Sequence, residues 1–379
     1  MEFIDLGAQQ RLIREKIENN IKKVLDHGKY IMGPEVTELE EKLADFTGTG
    51  YAISCASGTD ALLMALMAYG IKPGDYIITT PFTFIATAEV ISLLGATPVF
   101  VDIDEKTYNI DSSKIKEYLK NPQDPISGNQ ADPSKIKGII PVDIFGLPAD
   151  YVEINKIARE YGLFVIEDAA QSFGAVYKGR KACSLADIGC TSFFPAKPLG
   201  CYGDGGMIFT NNEELYNLLR SIRVHGQGSD KYDNVRIGIN GRLDTLQAAI
   251  LLAKFEIFPD EIKKRREVAK RYSDLLSNKF FLQEIPSGCS SAWAQYSIRA
   301  KNHNLSRDKY ISRLKDNKIP TAVYYPKPLN LQNAFINSFN YYDKKLPVSE
   351  KISKSIFSIP MHPYLDYKSQ NKIIETLNS

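Results

Sequence analysis

Apolar residues follow two alternating rhythms along the first two-thirds of this chain. Helical spacing comes first: Leu12, Ile13, Ile17, Ile21, Val24 and Leu25 recur at short intervals between Asp5 and His27, and Gly28 marks a stop. Short β-rich runs follow at 51–54, 76–80, 98–102, 138–142, 163–167, 190–194 and 207–210. Helical patterns such as 61–69, 86–94 and 151–161 separate most of them. Strands that are apolar throughout, with helices between them, predict an α/β fold with a parallel sheet covered on both faces.

The rhythm changes near residue 255. A basic helix at 261–276 leads into a mixed stretch with strands expected at 292–300 and 321–325. The chain therefore divides into a large domain, 1–255, opened by a helical segment at 1–30, and a smaller α+β domain, 256–379. The polar run 121–135, rich in Pro, Gly, Asp and Asn, is expected to form an exposed loop and not a domain linker.

Composition narrows the class. The 379 residues carry a net charge of +2, too little for nucleic-acid or membrane binding by bulk charge. The chain opens with early acids and no basic-then-apolar leader, and the apolar window 88–101 is broken by Glu89, Gly95 and Pro98, so a cytoplasmic protein is expected. Its five cysteines (Cys55, Cys183, Cys190, Cys201, Cys289) form no CxxC pair and are expected to be reduced. Four histidines (His27, His225, His303, His362) show no ligand spacing, so no catalytic metal is expected.

Three segments carry candidate chemistry. Ser57-Gly58-Thr59-Asp60 follows a strand and opens a helix, where free N–H groups and the helix dipole suit a phosphate, although the same residues suit an ordinary cap. Glu167-Asp168 ends an apolar strand, a usual ligand position in open α/β sheets. A buried acid there calls for a cation such as a protonated pyridine nitrogen, whereas a solvated loop calls for none. Lys197 sits in a Gly- and Pro-bordered loop with Ser192 five residues earlier. Burial would favour the neutral amine that forms a Schiff base, while exposure would make it an ordinary surface lysine. The glycines 203–206 make no dinucleotide fingerprint, since they follow no clear strand and open no helix. Taken together, a phosphate cradle, a pyridinium partner and a Schiff-base lysine meet the requirements of pyridoxal 5'-phosphate.

The chain resembles the DegT/StrS family of fold-type-I nucleotide-sugar aminotransferases over nearly its whole length. The likeness rests on Gly33-Pro34-Glu35-Val36, Ser57 to Leu62, Thr83 to Ala88, Glu167 to Gly174, Ser192 to Lys197, Gly203 to Gly206, Arg223 to Gly226, Asn240 to Asp244 and Met361-His362-Pro363. The resemblance implies that Lys197 carries the cofactor and moves the proton, Asp168 pairs with the pyridine nitrogen and Gln171 faces the ring hydroxyl. It further implies that Phe84 stacks on the ring and that Gly58, Thr59 and Ser192 hold the phosphate. Asn240, and Arg242 with it, would reach into a neighbouring subunit's site, giving a homodimer with shared active sites. Arg242, Tyr324, Tyr325 and Lys327 are the implied substrate contacts.

Within that family, the runs 194–202, 242–252 and 360–365 look like enzymes that aminate C3 of UDP-2-acetamido-2-deoxy-3-oxo-glucuronate on the way to lipopolysaccharide sugars. Glutamate would be the amino donor. Tyr324 stands where that group usually has histidine, and the 121–135 loop is long for it, which leaves other UDP- or dTDP-keto sugars as the alternative. A sugar dehydratase of the same fold would carry histidine in place of Lys197.

Overall fold

The computed structural model describes residues 1–230, 232–301, 306–336 and 346–379, leaving His303 outside. Each of the seven strands predicted in the large domain forms, with ends within two residues of expectation. They are β1 (Tyr51–Cys55), β2 (Tyr76–Thr79), β3 (Thr97–Phe100), β4 (Ile136–Ile140), β5 (Phe164–Asp168), β6 (Ile188–Ser192) and β7 (Gly206–Thr210). They make one sheet in the order β1-β7-β6-β5-β4-β2-β3. The β2–β3, β2–β4, β4–β5 and β5–β6 pairs are parallel, whereas β7 runs antiparallel to both of its neighbours. The sheet is thus mainly parallel, as expected, with β7 its one antiparallel strand. Loop 193–205 joins β6 to β7 with no helix to carry the chain back across the sheet, and a parallel return needs such a crossover.

Helices α1 (Leu6–His27), α2 (Pro34–Thr47), α3 (Gly58–Ala68), α4 (Ala86–Leu93), α5 (Ser112–Lys120), α6 (Tyr151–Tyr161), α7 (Glu213–Arg223) and α8 (Thr245–Leu276) clothe the sheet. The pleat decides which helices each strand meets. Along β7, Ile208 joins the core beneath α3 and α7, while Met207 and Phe209 join the core beneath α2 and α8. Fully burying each such side chain contributes about 1.5–3 kcal/mol. Helix α1 starts where its sequence says it should: the Asp5 carboxylate accepts the Ala8 N–H at 2.7 Å, and Gly28 closes it at φ 68°.

The small domain differs from expectation in two places. The basic helix begins at Thr245, so α8 runs through the expected boundary near 255 and past Pro259 without a break. Both halves are held by packing, with Phe258 and Ile262 buried in the core around Phe173. The strand expected at 321–325 does not form; only Ala322 bridges to Ser358. Pro320 and Pro326 bracket the segment, removing donors and restricting the residue before each. Strands β8 (Phe280–Leu282), β9 (Tyr296–Ala300) and β10 (Phe357–Ile359) form a separate antiparallel sheet over Tyr272, Leu276 and Leu314.

Loop 121–135 is mostly exposed, as expected, but carries its own turn. Gln123 bridges Gln130, and the Tyr76 hydroxyl donates to Asp124 at 2.6 Å. Among the described residues no helix is long and apolar enough to cross a membrane, no group of His, Cys, Asp and Glu could hold a metal, and the five cysteines are unpaired.

Candidate active site

Sheet topology gathers the candidate residues. The first six strands point the same way, so the β1–α3 turn, the end of β5 and the loop after β6 share one edge. Register tightens this, because Gly206 pairs with both Cys55 of β1 and Ser192 of β6. The Ser57–Thr59 turn consequently lies against Ser192. A Cβ on Gly58 would stand 2.7 Å from the Ser192 Cβ, and one on Gly206 would stand 2.3 Å from the Ser57 carbonyl oxygen. Both positions require glycine for the close approach.

Ser57 takes the capping role itself. Its Oγ accepts the Asp60 N–H at 3.0 Å, while its hydroxyl lies 3.0 Å from the Asp60 carboxylate. Gly58 and Thr59 form the first turn of α3, where backbone N–H groups have no partner inside the helix. With the Ser192 hydroxyl beside them, these groups could receive an anion. Cap and candidate anion site therefore coexist in one turn.

Asp168 and Glu167 are both buried, which disposes of a solvated loop. They face different partners. Glu167 accepts N–H groups from Cys183 (2.6 Å) and Leu185 (2.9 Å), a structural role that the sequence reading did not assign. The Asp168 carboxylate accepts the Thr87 hydroxyl at 2.8 Å and the Ala170 N–H at 3.2 Å. Thr87 in turn contacts Thr83 at 3.0 Å, one helical turn away. This hydroxyl pair orients Asp168; its i, i+4 spacing was visible in the sequence, but its purpose was not. Burial raises the Asp168 pKa, opposed by these donors and by Lys197. The net shift is upward, so a cation placed against this carboxylate would favour its ionised form.

Lys197 is partly shielded in a folded-back loop. The Lys197 N–H donates to the Phe194 carbonyl at 2.9 Å and the Cys201 N–H to the Phe193 carbonyl at 2.7 Å. A Cβ at Gly200 would lie 2.5 Å from the Pro195 carbonyl oxygen, so this fold needs glycine there. Desolvation lowers the lysine's pKa while Asp168 opposes it. The shift runs toward the neutral amine that nucleophilic chemistry requires.

Gln171 is fixed from one side, its Oε1 accepting the Phe145 N–H at 2.6 Å. Its amide nitrogen donates to the Tyr325 hydroxyl at 3.3 Å. Tyr324 and Tyr325 are thereby brought to this edge, and Tyr325 also packs edge-on against Phe82 at 6.2 Å. Phe84 is 57% exposed on the loop before α4, so it is a free aromatic face and not core. Lys327 is partly exposed, and no hydrogen bond ties its side chain to the site among the described residues. Asn240 lies on the surface, bridging Val224. Arg242 is partly buried, its Nε without a protein partner. Neither reaches Lys197 or Asp168 by a hydrogen bond within the chain among the described residues. The loop that carries them exposes Tyr232, Val235 and Ile237.

Beside Asp168 and Glu167 lies a further buried acid, Asp143, that the sequence reading missed. Asp143 accepts the Ala149 N–H (2.9 Å), the Tyr151 hydroxyl (2.8 Å) and the Ser172 hydroxyl (2.6 Å). Burial pushes the Asp143 pKa up to about 7, against the lowering effect of its hydrogen bonds with Ser172, Ala149, Tyr151 and Glu167. The folded state keeps a proton that the unfolded chain releases near the ordinary value. Stability is therefore full below about pH 4 and declines as pH rises to 7, by about 1.4 kcal/mol per unit at most. Urea unfolding of Asp143→Asn across pH 4–8 is expected to lack this decline. A variant whose slope matches the parent would remove Asp143 as its source.

These residues fit pyridoxal phosphate on structural grounds: a small turn that a single Cβ would fill, a buried carboxylate that a cation would stabilise, and a lysine whose pKa burial lowers. Fold and site define an aminotransferase dependent on pyridoxal phosphate. Residues 11–378 match the DegT/DnrJ/EryC1/StrS aminotransferase family, and the chain belongs to it. Over the full length of both chains it is 49% identical to a Pseudomonas aeruginosa protein, UDP-2-acetamido-2-deoxy-3-oxo-D-glucuronate aminotransferase. The crystal structure of a DegT/DnrJ/EryC1/StrS aminotransferase from Brucella abortus superposes with a TM-score of 0.92 at 47% identity, covering 100% of this chain and 98% of that one. NtdA of Bacillus subtilis, solved with bound cofactor PMP, superposes with a TM-score of 0.87 at 30% identity, covering 99% of this chain and 82% of that one.

Proposed function

We propose that this enzyme transfers the amino group of glutamate to C3 of UDP-2-acetamido-2-deoxy-3-oxo-glucuronate, in two half-reactions on one site. The observation that carries the substrate is the 49% identity with the Pseudomonas aeruginosa aminotransferase, which extends across the whole of both chains. Bound pyridoxal phosphate supplies an aldehyde that takes up the amino group and a ring that withdraws electrons from the carbon losing its proton. Gly58, Thr59 and Ser192 hold the phosphate. Phe84 covers one ring face. Gln171, held by Phe145, presents its amide to the ring hydroxyl, and Asp168, oriented by Thr87, faces the ring nitrogen. Lys197 anchors the cofactor through its amine and then carries the proton between the two carbons, a role its lowered pKa suits.

In this reading the working unit is a cytoplasmic homodimer. The surface position of Asn240 and the unpartnered Arg242 Nε support their serving a neighbouring subunit's pocket, alongside Tyr324, Tyr325 and Lys327 on the sugar side. The test is purified protein with glutamate and the 3-oxo-glucuronate nucleotide. Mass spectrometry should show the keto oxygen replaced by an amine, and an unchanged sugar would overturn the assignment.

A carboxylate on the sugar calls for a bidentate cation, and Arg242 is the candidate. Arg242→Ala is expected to lower kcat/KM on the uronate about 10–100-fold. The neutral 6-deoxy counterpart should be turned over as by the parent. Equal losses on both substrates would end the carboxylate role.

A further inference from the structure

The amino-terminal residues 3–9 reach the active site from a side that the cofactor chemistry does not use. The Met361 N–H donates to the Phe3 carbonyl at 3.2 Å. The Phe3 ring lies 6.4 Å from that of Tyr324, tilted by 53°. Six residues on, the buried Gln9 amide donates to both oxygens of Glu261, at 2.8 and 3.0 Å, and the Tyr364 hydroxyl donates to the same carboxylate.

Sequence spacing explains the anchor. Lys254, Glu261 and Arg265 stand at i, i+7 and i+11 on α8, forming a polar stripe on the buried side of that helix. Arg265 donates to the carbonyls of Trp293 (3.1 Å) and Met361 (3.4 Å), so the stripe also fixes the strand-like run before His362. His362 is buried beside Arg265 and the backbone of Glu2. A cavity of about 10 Å³ remains between Asp5, Gln9, Lys197, Arg265 and His362. The amino-terminal segment is thus one wall of the space behind the cofactor lysine, and its tip touches a tyrosine at the sugar side.

We propose that residues 3–9 are a positioning element of the active site, in which Phe3, pinned through Met361 and the Gln9–Glu261 contact, holds Tyr324 in place for the nucleotide sugar. Phe3 is a positioning residue, since it acts on the substrate through Tyr324. The inference rests on the proposed amination of a nucleotide sugar. Its signature is confined to the sugar, because among the described residues Phe3 makes no ring contact or backbone hydrogen bond with Lys197, Asp168 or Gln171.

The experiment compares the holoenzyme with Phe3→Ala and Phe3→Leu. Stopped-flow absorbance follows the glutamate half-reaction and the sugar half-reaction separately. Calorimetry measures binding of UDP-N-acetylglucosamine, a nucleotide sugar without the keto group, and hydrogen exchange follows the peptide containing Tyr324. Phe3→Ala is expected to raise KM for the keto sugar about fivefold and to weaken the UDP-sugar by a similar factor. The glutamate half-reaction should stay within twofold of the parent, exchange at Tyr324 should rise, and Phe3→Leu should recover most of the loss. Parent-like sugar affinity in Phe3→Ala, or equal slowing of both half-reactions, would overturn the proposal. A parent enzyme that accepts glutamate's amine but discharges it to no nucleotide sugar would instead overturn the functional reading.

Discussion

Lys197→Ala is expected to fold as the parent does and to transfer no amino group. A lysine amine can both anchor the cofactor covalently and accept a proton at the same atom. Removing it deletes the general base, which contributes roughly 10²–10⁴ in rate. It also deletes the covalent anchorage, so turnover should fall by at least about 10⁴. Stability should hardly change, because the loop is shaped by backbone contacts: Lys197 N–H to the Phe194 carbonyl, Cys201 N–H to the Phe193 carbonyl, and glycine at 200. Three measurements check this. Thermal unfolding should move by only a few degrees. The visible band of the covalently attached cofactor should disappear, and no amine should appear on the sugar. Residual turnover above a hundredth of the parent's would place the base elsewhere.

The loop around the lysine was legible early because its neighbours along the chain constrain it. Ser192 ends a strand, Pro195 and Pro198 border the loop, and Gly200 lets it fold back against the Pro195 carbonyl. The helix start at Ser57 was harder, since a cap and an anion cradle need the same small hydroxyl residues. Their coexistence showed only once Gly206, pairing with both Cys55 and Ser192, drew the two loops together. That is information about sheet register, carried by residues 150 positions apart.

Other features were illegible for the same reason. Asp143, Thr87 and His362 are each ordinary in their local sequence, and their roles come from partners distant along the chain. The antiparallel turn of β7 depended on what the loop before it lacked, a helix, and not on its own apolar pattern. The missing strand at 321–325 shows the opposite case. Its β-prone residues were read correctly, but between the flanking prolines the segment forms a single bridge, Ala322 to Ser358. Arg242 and Asn240 mark the furthest limit, because the partners proposed for them belong to a second copy of the chain.

Asp168→Asn should show what charge alone contributes. The amide has the carboxylate's shape; its oxygen can still accept the Ala170 N–H while its NH2 donates to the Thr87 hydroxyl oxygen, so the end of β5 should keep its geometry. What changes is the partner offered to a protonated ring nitrogen. In the parent, burial disfavours the ionised carboxylate, while Thr87, Ala170 and Lys197 favour it. A cationic nitrogen adds to the second set and is itself kept protonated in return. With asparagine that reciprocal stabilisation is lost, and the electron-withdrawing power of the ring falls at the step where the proton leaves carbon. A preorganised charge of this kind is worth roughly 10²–10³ in kcat. The loss should appear equally in the glutamate and sugar half-reactions, since both pass through that step, and KM should move far less than kcat. Thr87→Val should reproduce a smaller part of the same defect, because it removes the donor that orients Asp168 while leaving the charge. If Asp168→Asn kept more than a tenth of the parent's kcat in both half-reactions, the carboxylate would be a structural end to β5 and the ring nitrogen's partner would have to be sought on another strand.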